Sequence, residues 1–174
     1  MSCDIFEYLV SKKLIQFIIV WQKIPGIIDK YSYVFNMIEK FNGIFYLILF
    51  SIHFLGLGFY AYQMIIDNKR YREKFQIDET AATIMRMTGA IFLGSFLMAL
   101  YVMFVRPNGV EGTWAFFNLV FVQNLCVLIV NTYSIKIDKT GLKNDSNEAV
   151  IAPLVFTIIS AVLCYGLADK IYMY

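Results

Sequence analysis

Four stretches of this chain, each about 20 residues long, contain no Asp, Glu, Lys or Arg. They run from Ile44 to Ile66, Met87 to Val105, Trp114 to Ile135 and Val150 to Ala168. About 20 apolar residues in a helix cross roughly 30 Å of hydrocarbon. Backbone N–H and C=O groups cannot be left bare in lipid, so each stretch is predicted to be a helix that satisfies its own ladder. The expected fold class is therefore all-α, an integral-membrane bundle of four transmembrane helices.

Composition supports a lipid solvent. Hydrophobic residues make up 59% of the 174 positions and charged residues 16%, against roughly 45–50% and about 25% in soluble domains. Aromatic residues reach 17%, which suits a protein with two interfaces to anchor in. The formal net charge is +2, too balanced to point to nucleic acid. The three cysteines, Cys3, Cys126 and Cys164, are widely spaced. They imply neither a disulfide framework nor a zinc site and are read as small apolar packing residues.

The segments between the runs divide them cleanly. Asp67 to Arg86 is charged, and Asp78 is placed to cap the helix entering the second span. Arg106-Pro107-Asn108-Gly109 reads as a tight turn, so the second and third spans are expected to be antiparallel neighbours. Lys136 to Glu148 is a polar loop. Before residue 44 the pattern changes. Leu14 to Ile28 is apolar but interrupted by Gln16, Gln22 and Lys23 and broken at Pro25-Gly26. That run is too short to span, and residues 1–43 are expected to form an interfacial, amphipathic helical arm ahead of a transmembrane domain at 44–174. A fifth, tilted or re-entrant segment is the alternative. The start, with Asp4 and Glu7, reads as neither a cleavable leader nor a transit peptide.

His53 is the sole histidine and falls mid-span. Intramembrane ionisable groups are functional candidates by default. Tyr46, His53 and Tyr60 recur every seventh residue, with Gly56 beside them, so they share one helix face. That face suits a hydrogen bond to a neighbouring helix. A lipid or quinone headgroup, or a haem or metal, is the weaker alternative at His53. The third span carries Gln123, Asn124, Asn131 and Ser134 within an arc of about 100°. A polar stripe should avoid lipid. It either bonds other helices or lines a hydrated path, and without a charge in the stripe ion selectivity has no evident source. In the second span Gly89, Ala90 and Gly94 are small, and Ala90–Gly94 and Ser95–Ala99 have the spacing that lets helices approach closely. All of these positions are candidates for helix packing or partner contact. The sequence carries no GxGxxG or Walker loop, no HExxH, no CxxC and no CaaX ending.

Asp78 to Gly94 reads DETAATIMRMTGAIFLG, and a short turn and another apolar helix follow it. On these residues, the stretch from Gln76 to Ser134 resembles part of a family of small uncharacterised four-helix bacterial integral-membrane proteins. The resemblance covers about a third of the chain. It implies a helical membrane architecture and transfers no activity or site residue.

The functional expectation is a non-catalytic accessory or structural subunit of a larger multisubunit membrane complex, of respiratory-chain or ATP-synthase type. Its expected partners are membrane lipids and other membrane subunits. No cofactor or metal is expected beyond bound structural lipids. A small carrier or channel using the third-span stripe is one alternative, and a lipid, quinone or haem binder near His53 is another. The expected location is an energy-transducing membrane, mitochondrial or bacterial inner. Basic residues near the span ends put the loops at 67–86 and 136–149 on the cytoplasmic or matrix side.

Overall fold

The computed structural model describes residues 37–139 and 147–173. The expected interfacial arm lies outside the described residues, apart from its last few positions. Among the described residues the chain is all-helical, with four helices long and apolar enough to cross a membrane. It is an integral-membrane four-helix bundle. Helix α1 is Ile44–Ile65, α2 is Asn68–Phe75, α3 is Ala82–Leu100, α4 is Trp114–Tyr133, α5 is Glu148–Gly166 and α6 is Ala168–Ile171. The spans are α1, α3, α4 and α5. The second runs continuously from a 3₁₀ turn at Glu79, earlier than the apolar run alone suggests, and the third extends to Asp138.

Local chemistry explains where the elements start and stop. The Asp78 carboxylate accepts hydrogen bonds from the Thr80 N–H at 2.9 Å and the Thr80 hydroxyl at 2.7 Å, so it caps the second span as expected. The charged stretch after α1 is partly helical. Asn68 donates back to the Met64 carbonyl at 2.7 Å, occupying an acceptor that the end of α1 leaves open. Arg72 in turn donates to Asn68 Oδ1 at 2.9 Å. Gln76, in the left-handed region at φ 52°, ends α2, and the Ile77 N–H closes on the Arg72 carbonyl at 2.9 Å. Spans two and three both finish in a π-turn, at Tyr101–Val105 and Ser134–Asp138.

Packing departs from the simplest reading of the turn at Arg106. The second and third spans are not each other's main neighbours. Helix α3 lies against α1, α4 lies against α5, and the two hairpins meet along α1 and α5. Helices α3 and α4 touch where the Ser95 hydroxyl reaches Gln123 Oε1 at 3.4 Å. In lipid there is no hydrophobic drive between helices, so a short connection does not by itself force two spans into a full interface.

Both ends of the bundle are clasped. At one end Asn42 donates to Asp169 at 2.6 Å, the Gly112 N–H donates to the Lys170 carbonyl at 3.1 Å, and Tyr172 donates to Asn118 at 2.9 Å. Phe41 is fully buried there, so residues just ahead of α1 belong with the bundle. At the other end Lys74 and Glu148 form an ion pair at 2.6 Å, tying α2 to the start of α5. Outward faces are apolar, including Ile48, Ile52, Leu55 and Phe59 on α1 and Met87, Ile91 and Leu97 on α3.

Two glycines of α3 separate the inward from the outward face. A methyl group on Gly89 would sit 2.9 Å from the side chains of Met64 and Ile65. Gly94 is exposed, and a methyl there meets nothing within 4 Å. Gly89→Ala should therefore destabilise the solubilised protein by about 1–3 kcal/mol through overpacking against α1. Gly94→Ala should not lower stability at all. Thermal unfolding of both variants in mild detergent checks the pair, and equal melting temperatures would contradict this packing.

Candidate functional site: a polar core beside a one-leaflet cleft

His53, at mid-span on α1, is fully buried. Its Nε2 lies 3.3 Å from Asn124 Nδ2 on α4. The same amide nitrogen reaches the Ser160 hydroxyl on α5 at 3.4 Å. Three spans therefore converge on one side-chain amide at the centre of the bundle. With Asn124 donating, Nε2 accepts, and the ring proton belongs on Nδ1. Nδ1 is buried without a hydrogen-bond partner among the described residues. The imidazole plane stands nearly perpendicular to the rings of Phe54 and Phe156, at interplanar angles of 87° and 83°. Ser160 also donates to backbone carbonyls of its own helix, Phe156 at 2.8 Å and Thr157 at 3.0 Å.

Two helical turns away, Asn131 does a different job. Pro153 lies inside α5 and has no N–H to donate to the carbonyl four residues earlier, that of Ala149. An orphaned carbonyl inside a membrane is costly. Asn131 supplies the missing donor from α4, with Nδ2 at 2.8 Å from Ala149 O. The third-span stripe is thus turned inward along its length. Gln123 accepts from Ser95, Asn124 bonds α1 and α5, Asn131 repairs α5, and Ser134 faces a cavity.

That cavity has a volume of about 540 Å³ and lies between the hairpins where α3 and α4 separate. Its depth follows α4 from Asn124 to Ser134, about 15 Å at 1.5 Å per residue. That length equals one leaflet of a hydrocarbon core of about 30 Å. Leu57, Ile84, Phe92, Val127 and Val130 supply apolar walls. Polar groups gather towards the loop end, at Tyr60, Tyr71, Asn131, Ser134 and Glu148. Burial raises the Tyr71 phenol above its usual range, and the neighbouring Tyr60 and the Glu148 carboxylate add to this, so Tyr71 remains a protonated donor.

The other sequence candidates fall into three places. Tyr46 packs its ring against Gly166, so closely that a methyl on Gly166 would collide with it. Gly56 is pressed against Phe156 in the same way, and Gly89 against α1. Ala90 and Gly94 face outward, away from the polar core. Residues that the sequence reading missed are Ser160, Thr157, Pro153, Tyr71 and Gly166. Pro153 within an apolar run carried a usable signal, because an interior proline in a membrane helix calls for a donor elsewhere. Among the described residues, no group of three His, Cys, Asp or Glu side chains is placed to hold a metal ion. No family model matches the chain, and no curated protein or solved structure matches it either.

The Asn131–Pro153 relation can be tested as a cycle. Asn131→Leu should destabilise the bundle by about 1–2 kcal/mol, because it strands the Ala149 carbonyl. In a Pro153→Ala background, where the helix supplies its own N–H, most of that loss should disappear. Unfolding free energies of the four proteins in detergent measure the coupling. Strict additivity would contradict the compensation.

Proposed function

We propose that this chain is a non-catalytic membrane protein that holds a single-chain amphiphile in the one-leaflet cleft between its hairpins. The observation that carries this reading is the cavity itself. Its volume of about 540 Å³ falls within the roughly 300–1,000 Å³ typical of small-molecule sites. Its walls are mostly apolar, and its polar groups, Asn124 at the deep end apart, gather towards the loop end. A molecule with one long chain and a polar head matches that gradient, head towards the interface and chain towards Asn124. The walls come from all four spans and from α2, so an occupant would also brace the hairpins against each other.

A second reading rests on the outward face of α3. Ala90 and Gly94 are both exposed, one helical turn apart, and a Cβ at Gly94 meets open space. Small residues at this spacing let a foreign helix approach closely. This supports an accessory role, in which the chain is a subunit of a larger membrane complex of an energy-transducing membrane. The loops at 67–86 and 136–149 would then face the cytoplasm or matrix. The bonds that Asn124 and Asn131 make to other helices favour packing over a transport path.

Native mass spectrometry after gentle solubilisation addresses both readings. The chain should carry one tightly held single-chain lipid, and Val127→Trp, which fills the cavity wall, should reduce that species at least about tenfold. Equal lipid retention in the variant, or none in the parent, would contradict the cleft reading. Recovery only as a lone monomer or homo-oligomer would contradict the accessory role.

A further inference from the structure

The cleft presents donors that the protein itself does not satisfy. Among the described residues, the hydroxyls of Tyr60, Tyr71 and Ser134 make no hydrogen bond within the chain, although all three line the cavity. The other polar groups at that end are already engaged. Asn131 donates to Ala149, Thr88 donates to the Ile84 carbonyl at 3.1 Å, and Glu148 is paired with Lys74 at 2.6 Å. The arrangement is thus rich in free O–H donors and close to neutral in charge. Each phenol has an apolar neighbour as well: the Tyr60 ring lies 5.9 Å from Phe156, and the Tyr71 ring 4.8 Å from Phe75. Half-buried hydroxyls in apolar surroundings are costly unless an acceptor meets them.

We infer that the head of the bound molecule is a neutral carbonyl acceptor, seated against the hydroxyls of Tyr60, Tyr71 and Ser134, with its single chain running along the apolar walls towards Asn124. This rests on the proposed cleft function and adds the chemistry of the head. An anionic head would meet no Lys or Arg among the described lining residues, and a cationic one would leave three donors without an acceptor. A carbonyl carries no charge into the low-dielectric cleft and accepts up to two hydrogen bonds. Two sources share this chemistry, the ester of a monoacylglycerol and the ring carbonyls of a long-chain quinone.

The test uses the full chain in mild detergent with three probes of similar chain length. These are a monoacylglycerol, an alkyl-substituted benzoquinone and an alkyl trimethylammonium, which has no acceptor. Calorimetric titration should give clearly tighter binding for one or both carbonyl probes, and the tighter of the two identifies the source. Tyr60→Phe combined with Tyr71→Phe keeps the rings and removes both donors. It should weaken the carbonyl probes about tenfold and leave the trimethylammonium probe unchanged. Ser134→Ala provides an independent variant of small volume change and should weaken the same probes about threefold. If all three probes bind equally, or if the hydroxyl deletions change none of them, the head assignment is overturned while the cleft reading stands. If no probe binds the parent chain, the cleft reading and this inference fall together.

Discussion

The amide of Asn124 is the point at which the arrangement of the spans is decided. Inside hydrocarbon there is no hydrophobic gain from bringing two apolar helices together, so packing detail and interhelical hydrogen bonds choose the partners. Asn124 reaches His53 on α1 and Ser160 on α5 from its place on α4. That single group draws three of the four spans to a common centre. Gly56, pressed against Phe156, lets α1 and α5 close up beside it. Helix α3 is outside this polar centre. It is held by α1 through Gly89 and touches α4 at Ser95–Gln123. The cleft between α3 and α4 follows from that asymmetry.

The same logic accounts for the stripe below Asn124. Pro153 removes one backbone donor from α5, and Asn131 restores a donor to the stranded Ala149 carbonyl. Three members of the polar stripe on α4 are thereby engaged: Gln123 with α3, Asn124 with α1 and α5, and Asn131 with α5. The hydroxyls of Tyr60, Tyr71 and Ser134 lie unpaired at the loop end of the cleft, while at mid-span His53 Nδ1 and Gln123 Nε2 are buried without a partner among the described residues. Structural polarity and binding polarity are in this way separated by depth, the first at mid-membrane and the second near the Lys74–Glu148 pair.

The four spans were legible in the sequence because uncharged runs of about 20 residues have few other folded outcomes. The Asp78 cap was legible because an Asp directly before a helical run supplies the acceptor that the first turn lacks. The inward direction of the Gln123–Ser134 stripe followed from the cost of facing lipid. Its partners did not, since nothing local in the sequence says which helix will meet Asn124 or that Pro153 needs Asn131. The turn at Arg106 suggested that spans two and three lie side by side, and the structure separates them. Connection length limits the distance between two helix ends but not the interface along their length. Gly89 and Gly94 are indistinguishable by composition, yet one is closed against α1 and the other opens outward. The cleft itself was beyond a reading of single helices, because it is a gap between surfaces that only their mutual packing defines.

The central claim is that the cleft holds one defined chain-bearing molecule and not bulk lipid. Site-specific photocrosslinking in the native membrane tests it most directly. A small diazirine side chain of about leucine size, which does not fill the cavity, is placed at Val127, which lines the cleft, and is compared with one at Ile129, which is exposed on the outer face of the same helix. A single dominant adduct mass is expected at Val127, and a broad mixture of membrane lipids at Ile129. The same mixture at both positions would contradict it.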